Sequence, residues 1–164
     1  MKIIDIFEEL GVRRVINAAG TYTVWGGSRM SEQTLSDMSE IAGSFVSIKD
    51  LQSKVHKKLA QITNNEGAYI CNGAAAGVYL AVAAAISTKL QKPFFYLTQE
   101  EIAKCEVIVF KPHRNPYDYV LKQLGVKVVE IGYANNILPS INDDISYAIN
   151  ENTVALYYLV SGWA

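Results

Sequence analysis

A chain of 164 residues, half of them hydrophobic and about a fifth charged, is enough for one sizeable globular domain or for part of a larger one. Its formal charge of −1 gives no electrostatic case for binding nucleic acid or an anionic membrane, and so no support for a tRNA partner. The longest apolar run, residues 74–86, falls short of the roughly 20 residues needed to span a bilayer. The N-terminus meets an acid at Asp5, unlike a signal peptide. Cys71 and Cys105 stand far apart outside any CxxC pattern, and read as reduced thiols of a cytoplasmic protein. His56 and His113 have no ligand partners at metal-binding spacing.

In chain order, Ile3, Ile6, Phe7 and Leu10 mark a short amphipathic helix closed by Gly11. Residues 13–17 form a short strand or an extended arm, and residues 18–28 a glycine-rich loop of the kind that often carries function. The plainer reading of that loop is an arm that packs on a partner subunit. Ser31 caps a helix over residues 32–41. Asp50 caps the next, with Leu51, Val55, Leu59 and Ile62 along one face and Asn64-Asn65 at its end.

Residues 66–71 read as the first core strand, followed by a small-residue helix from Ala74 to about Leu90. Residues 91–104 are a loop with one helical turn near residues 99–103. From there the chain alternates: a buried strand over 107–110, a helix over 117–124 stopped by Gly125, and a strand over 127–131. An S-x-x-D capping box at Ser140 then opens a helix to Ile149, and a central strand covers 154–160. The alternation predicts an α/β protein: an N-terminal arm with helices over residues 1–65, then part of a parallel-dominated sheet with flanking helices over residues 66–164. The chain stops four residues beyond its last strand, where α/β sheets collect ligand groups, so it reads as cut short. Such an ending leaves apolar faces and a sheet edge uncovered, and predicts association.

The stretch Cys71-Asn72-Gly73-Ala74-Ala75-Ala76-Gly77 runs from a strand into a helix through residues small enough for a ligand to reach the backbone. A helix start offers unpaired N–H groups and the positive end of the macrodipole, which suit a phosphate. A tightly packed corner without a ligand reads equally well from the spacing. His113 follows the strand over 107–110, at the sheet edge where that turn lies, so its ring could lie over a bound ligand. Arg114 could reach a phosphate or a carboxylate, or stand simply at the surface. Asn17 and Arg29 flank the glycine-rich arm and could bind a polar substrate. There is no P-loop, no G-x-G-x-x-G, no acid at the end of the second strand, and no G-x-S-x-G elbow.

Three separated motifs carry a resemblance: Arg14-Val15-Ile16-Asn17-Ala18-Ala19-Gly20-Thr21, Gly26-Gly27-Ser28-Arg29-Met30, and Asn72 to Gly77. A fourth is His113-Arg114-Asn115-Pro116-Tyr117-Asp118, similar to an H-R-N-x-Y-D segment, with Gly125 to Gly132 after it. Together they resemble bacterial pyridoxal-phosphate enzymes of fold type I, in the group of selenocysteine synthase (L-seryl-tRNA selenium transferase) and D-glucosaminate-6-phosphate ammonia-lyase. The resemblance implies an incomplete aminotransferase-like large domain. Backbone groups at Gly73, Ala74 and Ala75 would hold the phosphate of pyridoxal 5'-phosphate, and His113 would stack on its ring. The arm (Asn17, Thr21, Gly27, Ser28, Arg29) would line the substrate side near a second subunit of a homo-oligomer.

The implied chemistry is Schiff-base formation, Cα proton loss and elimination at Cβ on an amino acid or amino-sugar phosphate. Members of the group run to more than twice this length, and their Schiff-base lysine and pyridinium-pairing aspartate come later than Val160. No catalytic residue is therefore assigned here, covalent cofactor attachment is not expected, and the chain alone is expected to be inactive. A phosphate-ligand or protein-binding module without catalysis is the alternative.

Overall fold

The structure, a computed structural model, describes residues 5–134 and 140–160, so Ile3 of the first helix and the last four residues lie outside the described residues. The chain divides into two compact units, Met1–Val55 and His56–Ala164.

In the first unit, α1 (Ile6–Glu9) starts at Asp5, whose carboxylate accepts the Phe7 N–H at 3.0 Å. Residues 13–17 have no regular secondary structure and pair with no strand among the described residues. The arm then turns through a short 3-10 helix, Thr23–Trp25, released by Gly26 and Gly27 at positive φ. In α2 (Glu32–Ala42) the expected cap is present, with Ser31 Oγ accepting the Thr34 N–H at 3.1 Å. The next helix, α3 (Ile48–Thr63), begins two residues before Asp50. Its entry bond comes from Ser47, whose hydroxyl accepts the Asp50 N–H at 3.3 Å, so Asp50 is a first-turn acid and not the cap.

The second unit takes the rest of α3, which ends at Asn64 in the left-handed region. Residues 67–71 follow without regular secondary structure and pair with no strand among the described residues, and Tyr69 and Ile70 are exposed. The expected first core strand is thus absent as a ladder: an apolar run can demand burial without specifying the neighbour that would supply its hydrogen bonds. The small-residue helix forms as read, α4 (Ala74–Leu90). After a 3-10 turn at Phe94–Tyr96, α5 (Gln99–Ala103) is held by a capping box between Thr98 and Glu101.

Three parallel strands follow, β1 (Glu106–Phe110), β2 (Lys127–Ile131) and β3 (Thr153–Tyr157), in the order β2-β1-β3. Between β1 and β2 lies α6 (Tyr119–Leu124), closed by Gly125 at φ +88°. The central strand is therefore β1, buried at every residue, and not the last strand as the sequence suggested. β3 also ends three residues early, because the Leu159 N–H turns away from the ladder to His113 Nδ1 at 3.2 Å. Ile86 of α4, Val107 and Val109 of β1, and Leu121 and Leu124 of α6 form the shared core. One buried acid at the strand start, Glu106, is matched by Lys127 Nζ and Asn150 Nδ2, each at 2.7 Å.

The Ser140 box departs from its expected form. Ser140 Oγ accepts from both Asp143 and Asp144, and it is Asp144, one residue beyond the usual position, that accepts the Ser140 N–H. That wider reach accompanies a π turn over Ile141–Ile145, and only the three residues of α7 (Ser146–Ala148) continue as α-helix.

Candidate functional site

The start of α4 is built by one unusual backbone. Gly73 sits at φ 89° and ψ 174°, a region effectively reserved for glycine, and its N–H bonds back to Cys71 O at 3.0 Å. Its carbonyl accepts the first helical bond, from the Gly77 N–H at 3.1 Å. The amides of Ala74, Ala75 and Ala76 are left with no hydrogen-bond partner among the described residues. No acid lies in the first turn to compete for them. A Cβ placed on Gly73 would meet nothing within 4 Å, so the space before the helix is open. Gly77 has a packing role instead: a Cβ there would meet Cys71 Sγ at 3.3 Å. Beside it lies an apolar groove of about 480 Å³ lined by Tyr69, Cys71, Gly77, Leu80, Ala81 and Ala84.

His113 ends a 3-10 turn, Lys111–His113, directly after β1, and it is buried. Its ring lies 5.4 Å from that of Phe110 at 39°. Because Nδ1 accepts the Leu159 N–H, the neutral ring carries its proton on Nε2, which is enclosed and has no partner among the described residues. An orphaned buried donor costs about 1–3 kcal/mol, which sets this imidazole apart from a satisfied core histidine.

The residues after His113 form a brace. Asp118, 4% exposed, accepts Arg114 Nε at 2.7 Å, Arg114 Nη2 at 3.1 Å and the Asn115 N–H at 3.1 Å. Arg114 also pairs with Glu130. Its pKa is raised, first by the bond to Asp118, and the exposed side chain is a surface arginine paired with two acids. Asn115 Oδ1 accepts the Tyr117 N–H, while Nδ2 donates to His113 O at 2.9 Å and to the Tyr157 hydroxyl at 3.3 Å. The turn Pro116–Asp118 packs against α4.

The arm residues lie in the first unit and the helix start and His113 in the second. Asn17 is a turn former: its Oδ1 accepts the Ala19 N–H at 2.9 Å and its Nδ2 donates to Gly20 O at 2.7 Å. The hydroxyls of Thr21 and Ser28 have no partner among the described residues, and Gly27 stands at φ +71°. Arg29 lines a groove of about 850 Å³ with Arg13, Arg14, Phe7 and Trp25. Three of the four arginines of the chain thus share one groove; Arg14 is held by Asp5 at 3.0 Å, whereas Arg13 and Arg29 have no ion pair among the described residues. The sequence reading overlooked Arg13 and Trp25, although the Arg13-Arg14 doublet in an otherwise arginine-poor chain was a usable signal.

Among the described residues no helix is long and apolar enough to cross a membrane, and no cluster of potential metal ligands is present.

The architecture is that of an α/β protein with a three-stranded parallel sheet and an open, glycine-capped helix start. A solved structure of D-glucosaminate-6-phosphate ammonia-lyase shares this fold with a TM-score of 0.80 and 28% sequence identity, over 98% of this chain and 44% of that one. In sequence, the chain is 30% identical over 161 residues to the D-glucosaminate-6-phosphate ammonia lyase of Salmonella typhimurium, covering 96% of this chain and 43% of the relative. It is 29% identical over 160 residues to a 5'-C-glycyluridine monooxygenase-decarboxylase of a Streptomyces species, covering 94% of this chain and 39% of the relative. No family model matches. The chain therefore resembles the ammonia-lyase group suggested by its motifs, and spans less than half the length of the relatives it matches.

Proposed function

We propose that this chain is the cofactor-phosphate and substrate-arm portion of a pyridoxal-phosphate-dependent enzyme acting on an amino acid or an amino-sugar acid. The observation that carries the reading is the bare start of α4, with three unpaired amides behind a left-handed Gly73 and open space before them. Gly73, Ala74 and Ala75 would hold the phosphate there through backbone N–H groups and the positive helix end. His113 would stand against the ring, with its single proton on Nε2. Asn17, Thr21, Gly27, Ser28 and Arg29 would form the substrate side near a second subunit, with Arg29 meeting the substrate's anionic group.

When bound, pyridoxal phosphate supplies an electron sink for a substrate carbanion. This chain's own contribution is binding and orientation. Of the lysines near the sheet, Lys92 is paired with Glu101 and Lys127 with Glu106, and none is assigned as the covalent anchor. The two relatives are named for different reactions, one an ammonia lyase and the other a monooxygenase-decarboxylase, which fits one scaffold serving more than one chemistry. An ammonia lyase of a phosphorylated amino-sugar acid favours that substrate class here.

Equilibrium dialysis of the 164-residue chain against pyridoxal phosphate, pyridoxal and inorganic phosphate tests the reading. Retention of pyridoxal phosphate, displaced by inorganic phosphate and not matched by pyridoxal, is expected. Equal retention of pyridoxal, or none of the phosphorylated form, would overturn it. A lysine adduct made permanent by borohydride reduction of a Schiff base would contradict the binding-only role.

A further inference from the structure

The exit of β3 holds His113 from two sides. The Leu159 N–H donates to its ring at Nδ1, at 3.2 Å. Two residues earlier, the Tyr157 hydroxyl accepts from Asn115 Nδ2 at 3.3 Å, and that same amide donates to the His113 carbonyl at 2.9 Å. Asn115 is fixed in turn, through its own N–H on the buried carboxylate of Asp118 and its Oδ1 on the Tyr117 N–H. Tyr157 is in addition packed by its ring against the core, so its hydroxyl is a fixed point relative to the sheet. We infer that Tyr157 and Asn115 are positioning residues that set His113 against the bound ring of the cofactor, with Tyr157 the link between the sheet and the His113 loop.

The inference rests on the cofactor reading above. It also explains why a tyrosine, and not a purely apolar residue, closes β3. Asn115 is suited to the junction because a carboxamide offers donors and an acceptor together; aspartate would keep the bond to the Tyr117 N–H and lose both donations from Nδ2.

The test separates positioning from stability by the ligand used. Inorganic phosphate needs only the start of α4, whereas pyridoxal phosphate also needs a correctly placed His113. Tyr157→Phe removes the hydroxyl and keeps the ring. It is expected to weaken pyridoxal phosphate binding roughly 3-fold to 10-fold, the worth of one hydrogen bond, with inorganic phosphate binding unchanged. Asn115→Ala should produce the same split, and the double variant should lose no more than Asn115→Ala alone. In the ¹⁵N spectrum of the imidazole, the His113 resonances should shift in both variants. The inference fails if Tyr157→Phe leaves pyridoxal phosphate affinity intact, if both ligands weaken equally, or if the effects simply add. Gly73→Ala and His113→Ala serve as references. If neither alters pyridoxal phosphate binding, the cofactor reading itself is wrong; if they do and Tyr157→Phe does not, only the positioning role is lost.

Discussion

Replacing Gly73 by alanine tests the start of α4 without adding bulk to any crowded place. A Cβ at Gly73 would have nothing within 4 Å, so any effect must come from the backbone. At φ 89° and ψ 174° a non-glycine residue is strained by about 1–3 kcal/mol. The variant has two ways to respond. It can keep the conformation and lose that much stability, or it can relax to negative φ and swing the Cys71–Gly73 turn away from the helix axis. In the second case the amides of Ala74, Ala75 and Ala76 no longer converge, and phosphate affinity falls instead. The two responses share one strain energy, so the summed loss should lie in the range of about 1–3 kcal/mol, equivalent to about 5-fold to 150-fold if all of it appears in binding. Thermal denaturation and equilibrium dialysis with inorganic phosphate, on the same preparations, measure both parts. Gly67→Ala is the control: Gly67 is also unobstructed but lacks a positive φ, so its replacement should change stability by no more than about 0.5 kcal/mol. If Gly73→Ala matches Gly67→Ala in melting temperature and in phosphate affinity, the strained-cap account of this helix start is refuted.

Three further outcomes are expected. Glu101 is held down to about 2 from an ordinary 4.5, first by the Thr98 N–H and next by the bond to Lys92. Because its folded pKa is depressed, the stabilisation is full above the ordinary value and is lost as pH falls from about 4.5 to about 2. Melting curves across that window should show the gap between wild type and Glu101→Gln closing as the acid limb is reached; a gap constant with pH would count against it. Burial raises the Cys105 thiol pKa and encloses the side chain, while Cys71 is only half-buried, so iodoacetamide followed by peptide mass mapping should find Cys71 modified first in the native chain. Gly125→Ala places a Cβ 3.2 Å from Gln99 Oε1 at φ +88°, and should destabilise the second unit by about 1–2 kcal/mol, read by chemical denaturation.

What could be read from the sequence depended on whether the signal was local. The limits of α4 and β2 and the turn at Gln99–Ala103 followed from patterns contained within each segment, as did the Ser31 cap. The capping box at Thr98 is equally local, a T-x-x-E that the sequence reading left unnamed although it placed the helical turn that follows. Pairing is not local. Residues 66–71 carry strand-like composition, but a ladder needs a neighbour, and no strand beside them is present among the described residues. The last strand was expected at the centre because it is apolar throughout, yet the all-buried pattern belongs to β1, and β3 exchanges its final ladder positions for a bond to an imidazole 46 residues earlier.

The same distinction governs the site. The glycine-capped helix start was legible because a tight turn and a bare helix end are properties of a few adjacent residues. The brace around His113 was not, since it joins Asn115 to Tyr157 across 42 positions and uses a hydroxyl that hydrophobic patterning counts as core. Arg114 could be read from the sequence either as an anion-binding cation or as a surface arginine; in the fold it is exposed, with its charge matched by Asp118 and Glu130. Arg13 and Arg29, by contrast, line a groove and have no ion pair among the described residues, so pairing rather than proximity in sequence is what distinguishes them from Arg114.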